Sequence, residues 1–452
     1  MLLRTILGAL LPVFLTVASP VLAQDRLEMA ASYSASKSGD ALLVWQRDSL
    51  VLERDQNGYD AEMPHLLASG TKTFSGLMAW AAVADGLFTL DERVAATIPS
   101  WRDDPQTSTI TVRQLLSLTS GLAPGGPARS LSFDEALDQP LVHPPGEGFR
   151  YGPAAFQAFG AFLQRKLDGE DPARYLQRRI LSPIGAEVAG WSRVDGTDPK
   201  LGGGARMTAR DWLRVGRLIL QDGQWNGSAV LPVGLRDTLA TSTPAGPGYG
   251  LTVWRNAAVD PDHAFFDHAP RATRPDGPDG MIYAGGPSDL FMAAGAFNQR
   301  LYVIPSRETV VVRFGRPDRS FSDAELLARL LDGRAYEAPS RTPPSDEERI
   351  AFLTNVQMSR LDSALQLTAA QEDAIRPLVR KQMTTLADVL PALKNEDDIG
   401  RREKRRLVRR LRRTQQETVR AIEAELTDEQ GKQYRAFLEE QRERRRARWG
   451  RR

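Results

Sequence analysis

The chain has 452 residues, 41% of them hydrophobic, and a formal net charge of +2, the composition of a globular protein long enough for two or three domains. It has no cysteine, which excludes disulfides, a thiol nucleophile, a thiolate zinc site and an acylated cysteine behind a leader. Four histidines are too few for a histidine-rich metal centre, so chemistry has to come from hydroxyl, amine, carboxylate or phenol groups.

Met1 to Ala23 reads as a secretory signal peptide. Arg4 supplies the charged start, Ile6 to Val17 the apolar stretch, and Val21-Leu22-Ala23 the cleavage site before Gln24. The apolar run ends at Ser19-Pro20, short for an uncleaved anchor, and no later segment has membrane-spanning character. The expectation is export to a bacterial periplasm, a compartment that suits a cysteine-free chain.

Ser34-Ala35-Ser36-Lys37 then runs into Ala41 to Glu53, two strand-like stretches around Arg47 and Asp48 that predict a hairpin at a sheet edge. The same Ser-x-x-Lys spacing recurs as Ser69-Gly70-Thr71-Lys72. In a helix, residues i and i+3 share a face, so an amine can reach a hydroxyl and act as its base. A lysine buried among apolar neighbours has a lowered pKa and can take that proton near neutrality. Context separates the two copies. Ser34 lies in a polar stretch with a solvated lysine, whereas Ser69 opens an amphipathic helix in which Phe74, Leu77, Met78 and Ala81 recur at helical spacing up to Gly86, a C-cap. The local pattern alone still leaves an ordinary helix-opening serine open.

Further helices are predicted at Leu163 to Lys166, Pro172 to Ile180 and Ala209 to Gln221. His263 and His268 stand near Asp262 and Asp267, but the proline-rich surroundings read as a loop, and no metal site is expected. Arg300 to Ile304 and Thr309 to Phe314 are β-branched runs around Pro305 to Glu308, a second hairpin. Strands at both ends with helices between imply one sheet built from the two ends of the region, hence an α+β domain over residues 24–338.

A proline-rich linker at 339–344 leads into residues 345–452, a basic all-α module opened by a capping box at Ser345 to Glu348. Leu407, Leu411, Val419, Ile422 and Leu426 mark its apolar stripe. Leu367-Thr368-Ala369-Ala370-Gln371 recurs as Leu426-Thr427-Asp428-Glu429-Gln430, each a Thr-x-x-Gln box able to start a helix. From Arg401 onward there are 19 Lys and Arg against 9 Asp and Glu, leaving the rest of the chain net acidic by 8. The runs Arg401 to Arg413 and Arg442 to Arg452 suit anionic lipid headgroups or an acidic protein partner, or are simply solvated helix faces; nucleic acid is not an expected partner of an exported chain.

From Asp40 to about Gly315 the chain resembles the serine β-lactamase and penicillin-binding-protein superfamily, in particular its class C β-lactamase-like esterase and amide-hydrolase branch. The resemblance rests on His65 to Lys72, on Gly86-Leu87-Phe88-Thr89-Leu90-Asp91-Glu92, on Ile110 to Leu122 and on Pro145-Gly146-Glu147-Gly148-Phe149-Arg150-Tyr151. It implies a β-lactamase/transpeptidase-like fold, an antiparallel sheet flanked by helices with a helical subdomain, and cofactor-free hydrolysis of a small ester or amide. Ser69 is the implied nucleophile, Lys72 its base and Tyr151 a proton relay, a phenol whose pKa is expected to fall beside a cationic Lys72. The backbone N–H groups of Ser69 and Ala296 are the implied oxyanion hole.

Two departures bear on substrate. The family tyrosine is commonly followed two positions on by asparagine, and here Pro153 stands there. Gly295-Ala296-Phe297-Asn298-Gln299 replaces the strand motif that carries a cation, leaving Asn298, Gln299, Arg300 or Arg313 as candidates to hold substrate. These replacements favour an esterase or short-amide hydrolase over a β-lactamase or D,D-peptidase. The C-terminal module is similar to periplasmic helical stress proteins with Leu-Thr-x-x-Gln repeats, which keeps open a non-catalytic binding role through the tail.

Overall fold

A computed structural model describes residues 20–60, 62–125, 131–260, 263–270, 273–275, 277–337, 367–394 and 400–449, with isolated positions between 347 and 365. The signal-peptide stretch up to residue 19, the 339–344 linker, and Ser345 and Glu348 of the expected capping box lie outside these residues. The chain divides into two compact units, Met1–Ala338 and Pro339–Arg452.

The first unit opens with α1 (Pro20–Ser36), followed by the hairpin β1 (Gly39–Gln46) and β2 (Ser49–Asp55). The short strand β3 (His65–Leu66), at the edge of a three-stranded sheet, leads into a 3-10 turn, Ala68–Thr71, and α2 (Lys72–Ala84). After α3 (Ala154–Lys166) come β4 (Ala205–Met207) and α4 (Ala209–Leu220). The last part holds β5 (Trp254–Arg255), β6 (Phe291–Gly295), β7 (Gln299–Ile304), β8 (Thr309–Gly315) and α5 (Asp323–Asp332). The main sheet is antiparallel in the order β5-β6-β7-β8-β1-β2, with Leu43 opposite Val312, so the two ends of the region meet at its centre as the strand pattern implies.

Alternation along the central strands divides the sheet into two faces. Arg300 and Tyr302 of β7 reach Asp323 of α5, and Arg313 of β8 reaches Ser34 of α1. Their neighbours Leu301, Val310 and Phe314 meet α4, where Trp212 stacks on Phe314 with ring centroids 5.6 Å apart. The Ser69 turn is on this second face, since Gly70 abuts Trp212.

Three expectations change. The helix after Ser69 is not amphipathic but buried on nearly every side, because α2 runs through the centre of the unit; it ends at Asp85, with Gly86 following at φ +74° and the Leu87 N–H closing on Ala82 O. Leu163 to Lys166 is only the last turn of α3, and Pro172–Leu176 widens into a π turn at Gln177–Leu181. Ser34 is not in a polar loop but at the end of α1, wholly buried, donating to Gln56 Oε1. Lys37 lies beyond the helix end and points to Ser320, so this copy of the motif never brings amine to hydroxyl.

The second unit contains α6 (Ala369–Lys394), α7 (Arg401–Ala424) and α8 (Asp428–Trp449) around Leu361, Leu365, Ile375, Val379, Ile422 and Tyr434. Thr368 and Thr427 both form the Thr-x-x-Gln capping boxes. The two glutamines also clasp each other, Gln371 Nε2 donating to Gln430 Oε1 at 2.8 Å, and each seals a carbonyl at the end of the other's preceding segment, Glu425 O and Leu365 O. The repeat is thus one joint rather than two separate caps. Arg402, Arg405, Arg406, Arg409, Arg412 and Arg413 are exposed on α7.

Gly216 lets α4 lie close on the sheet, for a Cβ there would come within 2.5 Å of Val310 Cγ1 and 2.6 Å of Leu301 Cδ1. Gly216→Val is expected to destabilise the first unit by about 1–3 kcal/mol through overpacking, read as a lowered urea midpoint.

Candidate functional site

Ser69 sits in the second position of the 3-10 turn, directly after Ala68, whose φ of +47° is a left-handed conformation that costs an alanine energy and persists only where neighbours enforce it. The enforcement comes from β4. The Leu67 N–H donates to Ala205 O at 2.9 Å, and the Ala205 N–H to Thr71 Oγ1 at 3.2 Å, so the turn is stitched on both sides of Ser69. Among the described residues neither the Ser69 N–H nor the Ala296 N–H has a hydrogen-bond partner. Gly295 brings the two chain segments together, because any Cβ at that position would overlap Leu67 O.

Lys72 begins α2 one turn later, 3% exposed, with Nζ 3.2 Å from Ser69 Oγ. The amine donates to Gly202 O at 2.5 Å and lies over the rings of Tyr151 and Phe156, 4.8 and 5.5 Å from their centroids. No carboxylate pairs with it among the described residues. Burial alone therefore pushes its pKa down to about 7, the value a base needs to accept a serine proton near neutrality. Gly202 is held in turn by Pro153, since a Cβ on the glycine would come within 2.9 Å of the proline ring. Pro153 thus positions the carbonyl that orients Lys72 and offers substrate no hydrogen bond.

Tyr151 precedes α3, its ring stacked on Trp254 at 5.5 Å and met edge-on by Tyr249 at 6.1 Å. Trp254 is paired with Met292 of β6, so the aromatic stack docks the phenol beside the strand that leads into Ala296. The expected fall in the tyrosine pKa is overturned: burial raises it, against a smaller opposite pull from the Ser69 and Thr273 hydroxyls and from the charge of Arg300. The ring is enclosed by Trp254, Tyr249 and the Lys72 side chain, so a phenolate there would lose its hydration and Tyr151 is held as a phenol.

The strand candidates fare differently. Gln299 is wholly buried, donating to Phe297 O and Gly315 O and accepting from the Gly315 N–H, so its amide is saturated by backbone. Arg300 forks onto Asp323 with Nε–Oδ1 at 2.7 Å, on the sheet face away from Ser69. Arg313 donates to Ser34 Oγ, Asn298 O and Lys37 O, and burial brings its pKa down to about 10. Neither arginine can hold a substrate carboxylate, and Asn298 Nδ2 is turned to Asp318 O. Gly202, Trp254 and Thr273 join the site without any signal in their local sequence, because their proximity to Lys72 and Tyr151 exists only in the folded chain.

The Beta-lactamase family profile matches residues 25–333. Protein Rv1367c of Mycobacterium tuberculosis (strain ATCC 25618 / H37Rv) is 28% identical over 265 residues, 43% of this chain and 65% of that protein, so the chain spans just under two thirds of this relative's length. A Beta-Lactamase/D-Alanine Carboxypeptidase from Pseudomonas syringae superposes with a TM-score of 0.52 at 15% identity, covering 70% of this chain and 100% of that one. A Penicillin-Binding Protein (PBP) homolog from Caulobacter crescentus gives 0.52 at 16% identity, over 69% and 96%. At such identities the likeness is one of fold.

Keeping Lys72 uncharged costs stability. The unfolded chain binds the lysine proton up to its ordinary pKa of 10.5 and the folded chain only up to about 7, so the penalty is full below pH 7 and vanishes as pH rises through 10.5. Lys72→Met is therefore expected to raise stability by on the order of 2–4 kcal/mol below pH 7, with the gain shrinking toward pH 10, measured by urea denaturation across pH.

Proposed function

Because the chain belongs to the Beta-lactamase family, whose members are serine hydrolases, we propose that it is an exported serine hydrolase that cleaves a small ester or short amide through an acyl-enzyme on Ser69. The observation that carries this reading is the buried amine of Lys72, 3.2 Å from Ser69 Oγ and with no carboxylate partner among the described residues. Neutral Lys72 takes the hydroxyl proton as Ser69 Oγ attacks the substrate carbonyl carbon. The carbonyl oxygen gathers negative charge between the Ser69 and Ala296 N–H groups, neither with a hydrogen-bond partner among the described residues and both on segments that meet where Gly295 abuts Leu67 O. Tyr151, kept a phenol by burial, donates toward the leaving group and is reprotonated from Lys72, which returns the pair to its starting state. Water then attacks the acyl carbon with the same base and the same oxyanion donors.

An ester or short amide is favoured over a β-lactam or D,D-peptide because the strand motif that would bind a carboxylate is replaced by side chains already saturated within the fold. Export rests on the Met1 to Ala23 leader pattern, with cleavage after Ala23. The basic face of α7 is assigned to an anionic partner, lipid headgroups or an acidic protein.

A fluorophosphonate probe is expected to label the mature protein at Ser69, with p-nitrophenyl esters turned over and nitrocefin not. Ser69→Ala should lose labelling and more than about a thousandfold in turnover. Equal labelling of the Ser69→Ala chain would defeat the assignment. Since only neutral Lys72 is a base, kcat/KM should fall about tenfold per pH unit below about pH 7, a limb that Lys72→Met abolishes.

A further inference from the structure

Arg300 is 3% exposed and its partner Asp323 1% exposed, joined by Nε–Oδ1 at 2.7 Å and Nη2–Oδ2 at 3.3 Å, with Tyr302 OH donating to the same carboxylate at 2.5 Å. An ion pair this deep gains little for stability over apolar packing of the same volume, which leaves room for a further task. The nitrogen left over supplies one. Nη1 donates at 3.0 Å to both Gly295 O and Gln299 O, the carbonyls on either side of the 296–298 turn.

Gly295 O and the Ala296 N–H are opposite ends of one conjugated peptide group. A cation donating to the oxygen draws electron density across the amide and makes the N–H a stronger donor. The turn itself requires restraint, because Phe297 and Asn298 both lie in the left-handed region, at φ of +64° and +65°. The restraint is dense: Arg300 takes Gly295 O and Gln299 O, Gln299 takes Phe297 O, and Arg313 takes Asn298 O. Only the Ala296 carbonyl is left out of this net of side-chain donors.

We infer that Arg300 is a positioning residue for the oxyanion hole, fixing the direction of the Gly295–Ala296 peptide and polarising it so that the Ala296 N–H meets the developing negative charge. The inference rests on the assignment of Ala296 as an oxyanion donor. It gives a function to a residue that cannot touch substrate, lying on the far face of the sheet and acting through one peptide bond.

The test compares the full-length chain with Asp323→Asn, which keeps Arg300 on Gly295 O, and with Arg300→Met/Asp323→Asn, which removes the cation without stranding a buried carboxylate. Readouts are kcat and KM for a p-nitrophenyl ester, the fluorophosphonate labelling rate, and the infrared carbonyl stretch of the acyl-enzyme. The double variant is expected to lose about 10–100-fold in kcat with KM within about threefold of wild type, and its acyl carbonyl stretch to move to higher wavenumber. Asp323→Asn should stay within a few-fold of wild type in all three. Should the double variant not fold, Arg300→Lys keeps the charge but cannot span Asp323 and Gly295 O together, so kcat should fall about tenfold while the melting temperature holds. An unchanged carbonyl stretch in a folded double variant, or equal losses in the double variant and Asp323→Asn, would overturn the inference while leaving Ser69 catalysis standing. A wild-type chain that the probe does not label overturns both.

Discussion

An amine held out of water, with no carboxylate beside it among the described residues, is the arrangement on which the rest of the first unit depends. Lysine gives up its charge only when burial makes the charged form costly, and here burial is nearly complete. That requires α2 to run through the interior, which in turn requires helices and sheet around it and a backbone carbonyl, Gly202 O, to satisfy the buried amine. The strained Ala68 turn, its stitching to β4 and the wedge of Pro153 on Gly202 follow as the means of keeping one amine beside one hydroxyl. Lys72 thus opposes folding through the same burial that lowers its pKa to about 7 beside Ser69.

The two faces of the central sheet differ in character. Its α4 face carries the Ser69 turn and the apolar contacts that seat it, while its other face holds Arg300, Arg313, Tyr302 and Asp323 in buried polar contacts. Such a network is tolerable only when each member is satisfied, and these side chains reach one another and the turn carbonyls. The departure of Gly295 to Gln299 from the cation-bearing family motif therefore has two consequences. It removes a carboxylate-binding cation from the substrate side, and it places a cation behind the strand instead.

Much of this was legible along the chain. The hairpin at Ala41 to Glu53, the hairpin around Pro305 to Glu308 and their meeting in one sheet follow from short apolar, β-branched runs with turn residues between them. Ser69 and Lys72 were legible because their contact is local, set by the pitch of a single turn. The rest of the site was not. Gly202 lies 130 positions from Lys72, and Trp254 reaches Tyr151 only because β5 joins the sheet beside β6. The Tyr151 pKa rises where the sequence implies a fall for a related reason: the sequence places a lysine nearby, but burial by distant segments decides whether a phenolate could be solvated.

The sequence by itself determined the order of elements, the serine and lysine on one helical turn, the paired Thr-x-x-Gln caps and the basic character of the last helices. Periodicity and local hydrogen bonding are short-range, so they can be read from neighbours in the chain. Tertiary structure alone decided which Ser-x-x-Lys copy could work: Lys37 falls beyond the end of its helix while Lys72 is sealed against Gly202, Tyr151 and Phe156. It also decided that Gln299, Arg300 and Arg313 are structural rather than substrate-binding, because their burial and partners come from segments distant in sequence, and proton affinity depends on what surrounds a group in space.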